Sequence, residues 1–134
     1  MMSAANGSQA VKLDLVRMQT CRTVVSLAPV FRSDAEDHAK REAPREACGL
    51  VYIGSDREQH YLPCRNLCEN PEDHFILDPG DYYKASLKGK IVAVIHSHPQ
   101  GTEASEADRK ACKQSKLPWF IYQLPQERWL TINP

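Results

Sequence analysis

This sequence predicts a single α+β domain, and three observations carry the prediction. At 134 residues the chain is long enough for one core without crosslinks. Short runs rich in β-branched and aromatic residues alternate with stretches of helical spacing. The two final runs, Trp119–Gln123 and Arg128–Ile132, face each other across Pro125-Gln126 as a hairpin, so antiparallel pairing sits beside strands that helices separate.

Taken in order, Met1 to about Ala10 is small and polar and is expected to be disordered. Arg22–Val30 reads as a short strand or an extended tail. A helix is expected from about Ser33 to Ala43, followed by an apolar strand, Cys48–Ile53. Gly54-Ser55-Asp56 reads as a turn into a second strand near Gln59–Cys64. Asn66–Asp73 reads as a loop and Phe75–Leu77 as a short strand. Asp78-Pro79-Gly80 places an N-cap before a proline at the first helical position, opening a helix to about Leu87.

Ile91-Val92-Ala93-Val94-Ile95 is a buried strand by composition, and it runs into His96-Ser97-His98-Pro99. Alternation puts both imidazoles on one side of the strand end, and Pro99 stops the ladder. Ser105 then caps a helix that runs to about Lys113, with Asp108 three positions on. Ala107, Asp108, Ala111, Cys112 and Ser115 share one side of that helix, so Asp108 lies in the stripe expected to pack on the sheet. An inward carboxylate needs a cation or several donors. Two histidines, one carboxylate and an open position make the shell of a hydrolytic zinc site. Such a site also needs a base, and Glu46, between the first helix and the first strand, is the best placed; Glu42, Glu58 and Glu103 are its rivals.

Glu46 upstream of His96-Ser97-His98-Pro99 and Ser105-Glu106-Ala107-Asp108 resembles the motif of the JAMM (JAB1/MPN+) metalloprotease family. Within it, the likeness is to the N-terminal JAMM domain of lambda-type phage tail-assembly K proteins. It rests also on Pro44-Arg45-Glu46-Ala47-Cys48-Gly49, Leu62–Asn66, Asp78-Pro79 and Leu117–Trp119, and runs from about Phe31 to Asn133. The resemblance implies a JAMM/MPN-like mixed sheet flanked by helices over 31–134, behind an extension over 1–30. It implies that His96, His98 and Asp108 hold Zn2+, that Glu46 activates water, and that Ser105 helps stabilise the oxyanion of a peptide or isopeptide substrate. It further implies partners among phage tail proteins or an NlpC/P60 peptidase, with the protein in the host cytoplasm or on the virion. Pro99–Ala104 leaves one residue fewer between His98 and Ser105 than relatives carry, which bears on the reach of Ser105.

Composition removes other classes. The 17 basic and 17 acidic residues are well mixed, with no basic stripe to meet a phosphate backbone, so no nucleic-acid partner is expected. No segment approaches the roughly 20 apolar residues that span a bilayer, and Lys12, Asp14 and Arg17 interrupt any signal-peptide core, so cytoplasmic synthesis is expected. Five cysteines without an export signal are expected as reduced thiols. Cys64-x3-Cys68 lacks a second pair to make a zinc clip, and the apolar neighbours of Cys48 suit a buried thiol better than a Cys–His nucleophile. His60 and His74 lack partners at ligand spacing, and Asn66 is expected to bond its own turn. Two alternatives to the zinc peptidase remain: a non-catalytic JAMM-fold scaffold and a Cys48 hydrolase, the latter separable because chelators would spare it.

Overall fold

A computed structural model describes residues 29–134. Helix α1 spans Pro29–Glu42, strands β1 and β2 span Cys48–Ile53 and Gln59–Cys64, and helix α2 spans Pro79–Lys88. Strand β3 follows at Lys90–His98, then helix α3 at Glu106–Ser115 and strands β4 and β5 at Trp119–Gln123 and Arg128–Ile132. Among the described residues the sheet has five strands in the order β2-β1-β3-β4-β5. Only β3 and β4 run parallel, with α3 as their crossover; the other neighbours are antiparallel. The α+β expectation and the mixed sheet hold.

Both faces of the sheet are covered. Leu50, Val94, Ile121, Ala85 of α2 and Cys112 of α3 form the larger core, whereas Val51, Ala93, Ile95 and Phe120 pack with Ala35 of α1 on the other face. Burying a Leu, Val or Ile side chain stabilises the fold by about 1.5–3 kcal/mol each. This explains why Leu50, Val51 and Ile121, all at 0% exposure, sit in central strands rather than edge strands. Gly49 is required by packing: a Cβ there would run into the Tyr61 ring on β2, whose hydroxyl meets Nδ1 of His38 on α1 at 2.6 Å. Asp78 caps α2 by accepting from the Gly80 amide at 2.8 Å, with Pro79 in the first turn as expected. Arg65, just past β2, ion-pairs with Asp78 and Asp81 and ties α2 to the sheet.

Three local expectations are corrected. Helix α1 begins at Pro29 rather than Ser33, with Pro29 and Val30 in its first turn; the rest of the proposed Arg22–Val30 strand, the polar Met1–Ala10 stretch and Cys21 lie outside the described residues. Phe75–Leu77 is not a strand but a loop with one bridge, Asn66 to Leu77. The Asn66 side-chain oxygen takes the Ile76 amide at 3.1 Å, replacing the strand partner that the apolar run seemed to need. On α3, only Cys112 of the small-residue stripe is buried. Ala107 and Ser115 are exposed, and the helix is anchored through Cys112 in the core and Asp108 at the histidines.

Candidate metal centre

Strand register builds the centre. Cys48 of β1 pairs with His96 of β3, so continuing the antiparallel register two steps sets Glu46 opposite His98 on the same face. Ser97 fixes that extension: its amide donates to the Ala47 carbonyl at 2.9 Å, and its hydroxyl accepts from the Ala47 amide at 2.8 Å. One ligand atom each from Glu46, His96 and His98 then lies within 4.8 Å of the others, and all three residues are buried.

Helix α3 adds Asp108. Ser105 caps the helix and accepts from the Asp108 amide at 3.0 Å, while the Ser105 amide donates to Asp108 Oδ2 at 3.0 Å. The reciprocal cap locks the carboxylate, which meets His96 Nε2 through Oδ1 at 3.4 Å and His98 Nε2 through Oδ2 at 3.2 Å. The two Nε2 atoms are themselves 3.1 Å apart. The shortened loop before Ser105 therefore leaves Asp108 in reach of both rings.

Each ring is oriented by its surroundings. His98 Nδ1 bonds the Thr102 carbonyl at 2.9 Å, and that oxygen also accepts from Gln123 Nε2 at 3.0 Å. A carbonyl can only accept, so Nδ1 carries a proton, which leaves Nε2 as the atom turned to the centre and free to serve as a ligand once a cation displaces any proton there. His96 is held instead by packing, stacked on Phe75 with centroids 4.6 Å apart and edge-on to Trp119 at 5.3 Å. Its Nδ1 is buried with no hydrogen-bond partner among the described residues.

Electrostatics divides the carboxylates. Burial pushes Glu46 up to about 7, with the Asp108 charge adding to the rise and His98 opposing it. Burial also works to raise Asp108, but the bonds from His96 and His98 overcome it and hold the group well below the usual carboxylate range. Burial lowers His96. It pulls His98 the same way, but the Asp108 bond, the Thr102 carbonyl and the Glu46 charge outweigh it and leave His98 raised. One acid is thus kept ionised against the imidazoles, and a second gives up its proton near neutrality. Such a cluster can hold a cation beside a group able to move protons.

The structure brings Glu46, His96, His98 and Asp108 together, with Ser105 at the margin, exposed and engaged as a cap. The rivals of Glu46 lie elsewhere: Glu42 pairs with Arg45 at 3.5 Å, Glu103 with Arg128 at 3.1 Å, and Glu58 is exposed in the β1–β2 turn. His60 stacks on Tyr52 and bonds Asp56 at 2.8 Å; His74 is exposed in a loop rather than in a strand. Cys48, Cys64, Cys68 and Cys112 are free thiols, and burial holds Cys48 far above its ordinary range, where it donates to the Arg65 carbonyl at 3.6 Å.

Asn66 was underestimated by sequence. Its Nδ2 donates to the carbonyls of Glu46 and His74 at 3.0 Å, and its Oδ1 accepts from Cys68 and Ile76 at 3.0 and 3.1 Å. It bonds its own loop, as expected, and also reaches across to seat the Glu46 backbone. Thr102, Ser97 and Gln123 are supports that no local pattern signals.

A sequence profile described as prokaryotic homologs of the JAB domain matches residues 30–131. The chain belongs to the prokaryotic JAB-domain family. It is 46% identical over 98 residues to the tail tip assembly protein K of Escherichia phage N15, which covers 72% of this chain and 40% of that protein. It is 48% identical over 46 residues to the protein of the same name from Escherichia phage lambda, covering 34% of this chain and 23% of that one. The chain therefore spans well under half the length of these relatives. No helix among the described residues is long and apolar enough to cross a membrane.

Proposed function

We propose that this JAB domain is a zinc-dependent peptidase that hydrolyses a peptide or isopeptide bond in the context of phage tail assembly. The observation that carries the reading is the convergence of two Nε2 atoms and one carboxylate. The arms of a tetrahedral zinc site are about 2.0–2.1 Å, so its ligand atoms stand about 3.3 Å apart. The two Nε2 atoms stand 3.1 Å apart, and Asp108 offers Oδ1 to His96 Nε2 at 3.4 Å and Oδ2 to His98 Nε2 at 3.2 Å, each close to that spacing. The donor set fits zinc: two imidazoles and an ionised carboxylate, with Thr102 setting the His98 tautomer.

His96, His98 and Asp108 would hold the ion. Bound there, zinc would polarise a substrate carbonyl and lower the pKa of a water in the open position. Glu46 reaches the same point from the segment before β1, with a carboxylate oxygen within 4.8 Å of both histidines, and in this reading it serves as the base while Asp108 completes the ligand set. Its carboxylate takes a proton from the attacking water and returns it to the leaving nitrogen. Asn66 and Ser97 hold the backbone just after that carboxylate, at the Glu46 carbonyl and at Ala47. The domain proposed for this chemistry is 31–134, behind an extension over 1–30. The similarity to the K proteins of N15 and lambda supports tail proteins as substrates or partners, with cell-wall peptides as the second substrate class; an NlpC/P60 partner belongs to the same proposal.

Purified protein is expected to bind close to one equivalent of zinc per chain by metal analysis, and His98→Ala to lose most of it. Full zinc in His98→Ala would move the site elsewhere. Ser105 separates on two observables. If the hydroxyl only caps α3, Ser105→Ala costs about 1 kcal/mol of stability and spares turnover. An oxyanion donor is worth up to about 10²-fold in kcat. Because Ser105 is already engaged with the Asp108 amide, a loss of roughly tenfold is expected alongside the lowered Tm.

A further inference from the structure

Beside the centre, on the same face of the sheet, lies a cavity of about 300 Å³. Leu50 and Val94 line it from the sheet, Phe75 and Leu77 from the loop before α2, Tyr82 from α2 and Trp119 from β4. Phe75 and Trp119 are also the two rings that pack on His96. The cavity and the centre therefore share a wall, and Val94 stands two residues before His96 on the same strand face. Among the described residues no charged one lines the cavity, so a charged group entering it would lose hydration without gaining a partner there. Its volume is at the low end for small-molecule pockets, enough for one side chain rather than a folded element. Tyr82 is 46% exposed, which leaves the mouth at the α2 surface.

We propose that this cavity receives a large apolar side chain of the peptide substrate, adjacent to the bond presented to the centre, and so selects for Phe, Leu, Trp or Met there. The assignment rests on the hydrolytic reading of the centre. The walls shared with His96 make the cavity continuous with the site, and their apolar character sets the class of side chain. Phe75 and Trp119 then act twice, orienting a ligand ring on one side and gripping substrate on the other.

The test has a binding arm and a cleavage arm, both on the full chain. N-acetyl-phenylalaninamide is titrated while the Trp119 indole N–H resonance is followed by NMR, with N-acetyl-glutamyl amide as the charged control. The apolar probe is expected to give saturable shifts with a Kd of roughly millimolar order, and the charged one none. Leu77→Trp, which fills the cavity, is expected to weaken the probe about tenfold or more. Should that variant lose its dispersed spectrum, Tyr82→Ala at the half-exposed mouth is expected to weaken it severalfold. In the cleavage arm, zinc-loaded protein is given a peptide mixture, and the cut sites are expected to favour large apolar residues over Asp and Glu about tenfold. No saturable shift, equal binding by Leu77→Trp in folded form, or cleavage indifferent to the neighbouring residue would overturn the proposal. Trp119 shifts that grow with protein concentration alone would assign the cavity to a second copy of the chain and overturn it too. Probe binding without any cleavage would uphold the pocket while sinking the hydrolytic reading.

Discussion

Glu46→Gln is expected to keep a full equivalent of zinc and lose hydrolysis by on the order of 10²-fold or more, the scale of lost acid–base catalysis. The amide keeps the shape of the carboxylate and cannot take a proton. The Asn66 bond to the Glu46 carbonyl involves only backbone and survives the change. Near wild-type turnover in a zinc-loaded Glu46→Gln protein would remove the residue from the chemistry. The same substitution carries a second, metal-free readout. Burial raises Glu46 to about 7 from its ordinary 4.5, so the fold favours the protonated form. That contribution to stability is complete below about 4.5 and is lost as the pH rises through about 7. Glu46→Gln has no such loss, so its Tm relative to the metal-free parent is expected to climb by a few degrees across this window. A flat difference between pH 4.5 and 8 would show that the carboxylate is not desolvated, whatever its catalytic role.

Asn66→Ala is expected to be the most destabilising polar substitution outside the centre, by roughly 2–4 kcal/mol in denaturant unfolding. The side chain makes hydrogen bonds to five backbone groups, and it is only 8% exposed. Truncation leaves the Glu46 and His74 carbonyls and the Cys68 and Ile76 amides without their partner in a place water reaches poorly. Because one of those groups belongs to Glu46, turnover is expected to fall about tenfold in zinc-loaded, folded protein, through kcat rather than KM. An Asn66→Ala protein as stable as the parent would reduce Asn66 to a surface turn residue.

The comparison of these two residues shows what the sequence could reveal. His96, His98 and Asp108 were legible because each sits at a position where period dictates direction, whereas Glu46 stood out only by its place between the first helix and the first strand and by the family motif. Two alternate residues end a β-branched strand, and an acid stands three places into a capped helix. The terminal hairpin and the first two strands were legible because short runs rich in apolar and β-branched residues stand between turn residues. Asn66 was not, because its partners span Glu46 to Ile76 and no local pattern encodes a hub between segments. Thr102 and Ser97 are alike in this: each acts through a backbone group that only the folded register brings near. The Phe75–Leu77 error has the complementary cause. Phe75 and Leu77 face a core and a cavity while Ile76 between them is exposed, as alternate strand residues would be, but the Asn66 side chain supplies hydrogen bonds that a strand would otherwise have given. Helix α3 departs from its expected stripe at Ala107 and Ser115, which are exposed. Its inward acid, Asp108, meets both histidines.

The central claim is that His96, His98 and Asp108 are the zinc ligands and that Glu46 is not. Anomalous diffraction at the zinc edge, from crystals of the full chain grown with zinc, tests it most directly. The account predicts one strong peak bonded to Nε2 of both histidines and to an Asp108 oxygen, at about 2.0–2.2 Å from each, with the Glu46 carboxylate outside bonding distance. A peak ligated by Glu46 in place of Asp108, or no peak between the two imidazoles, would contradict it.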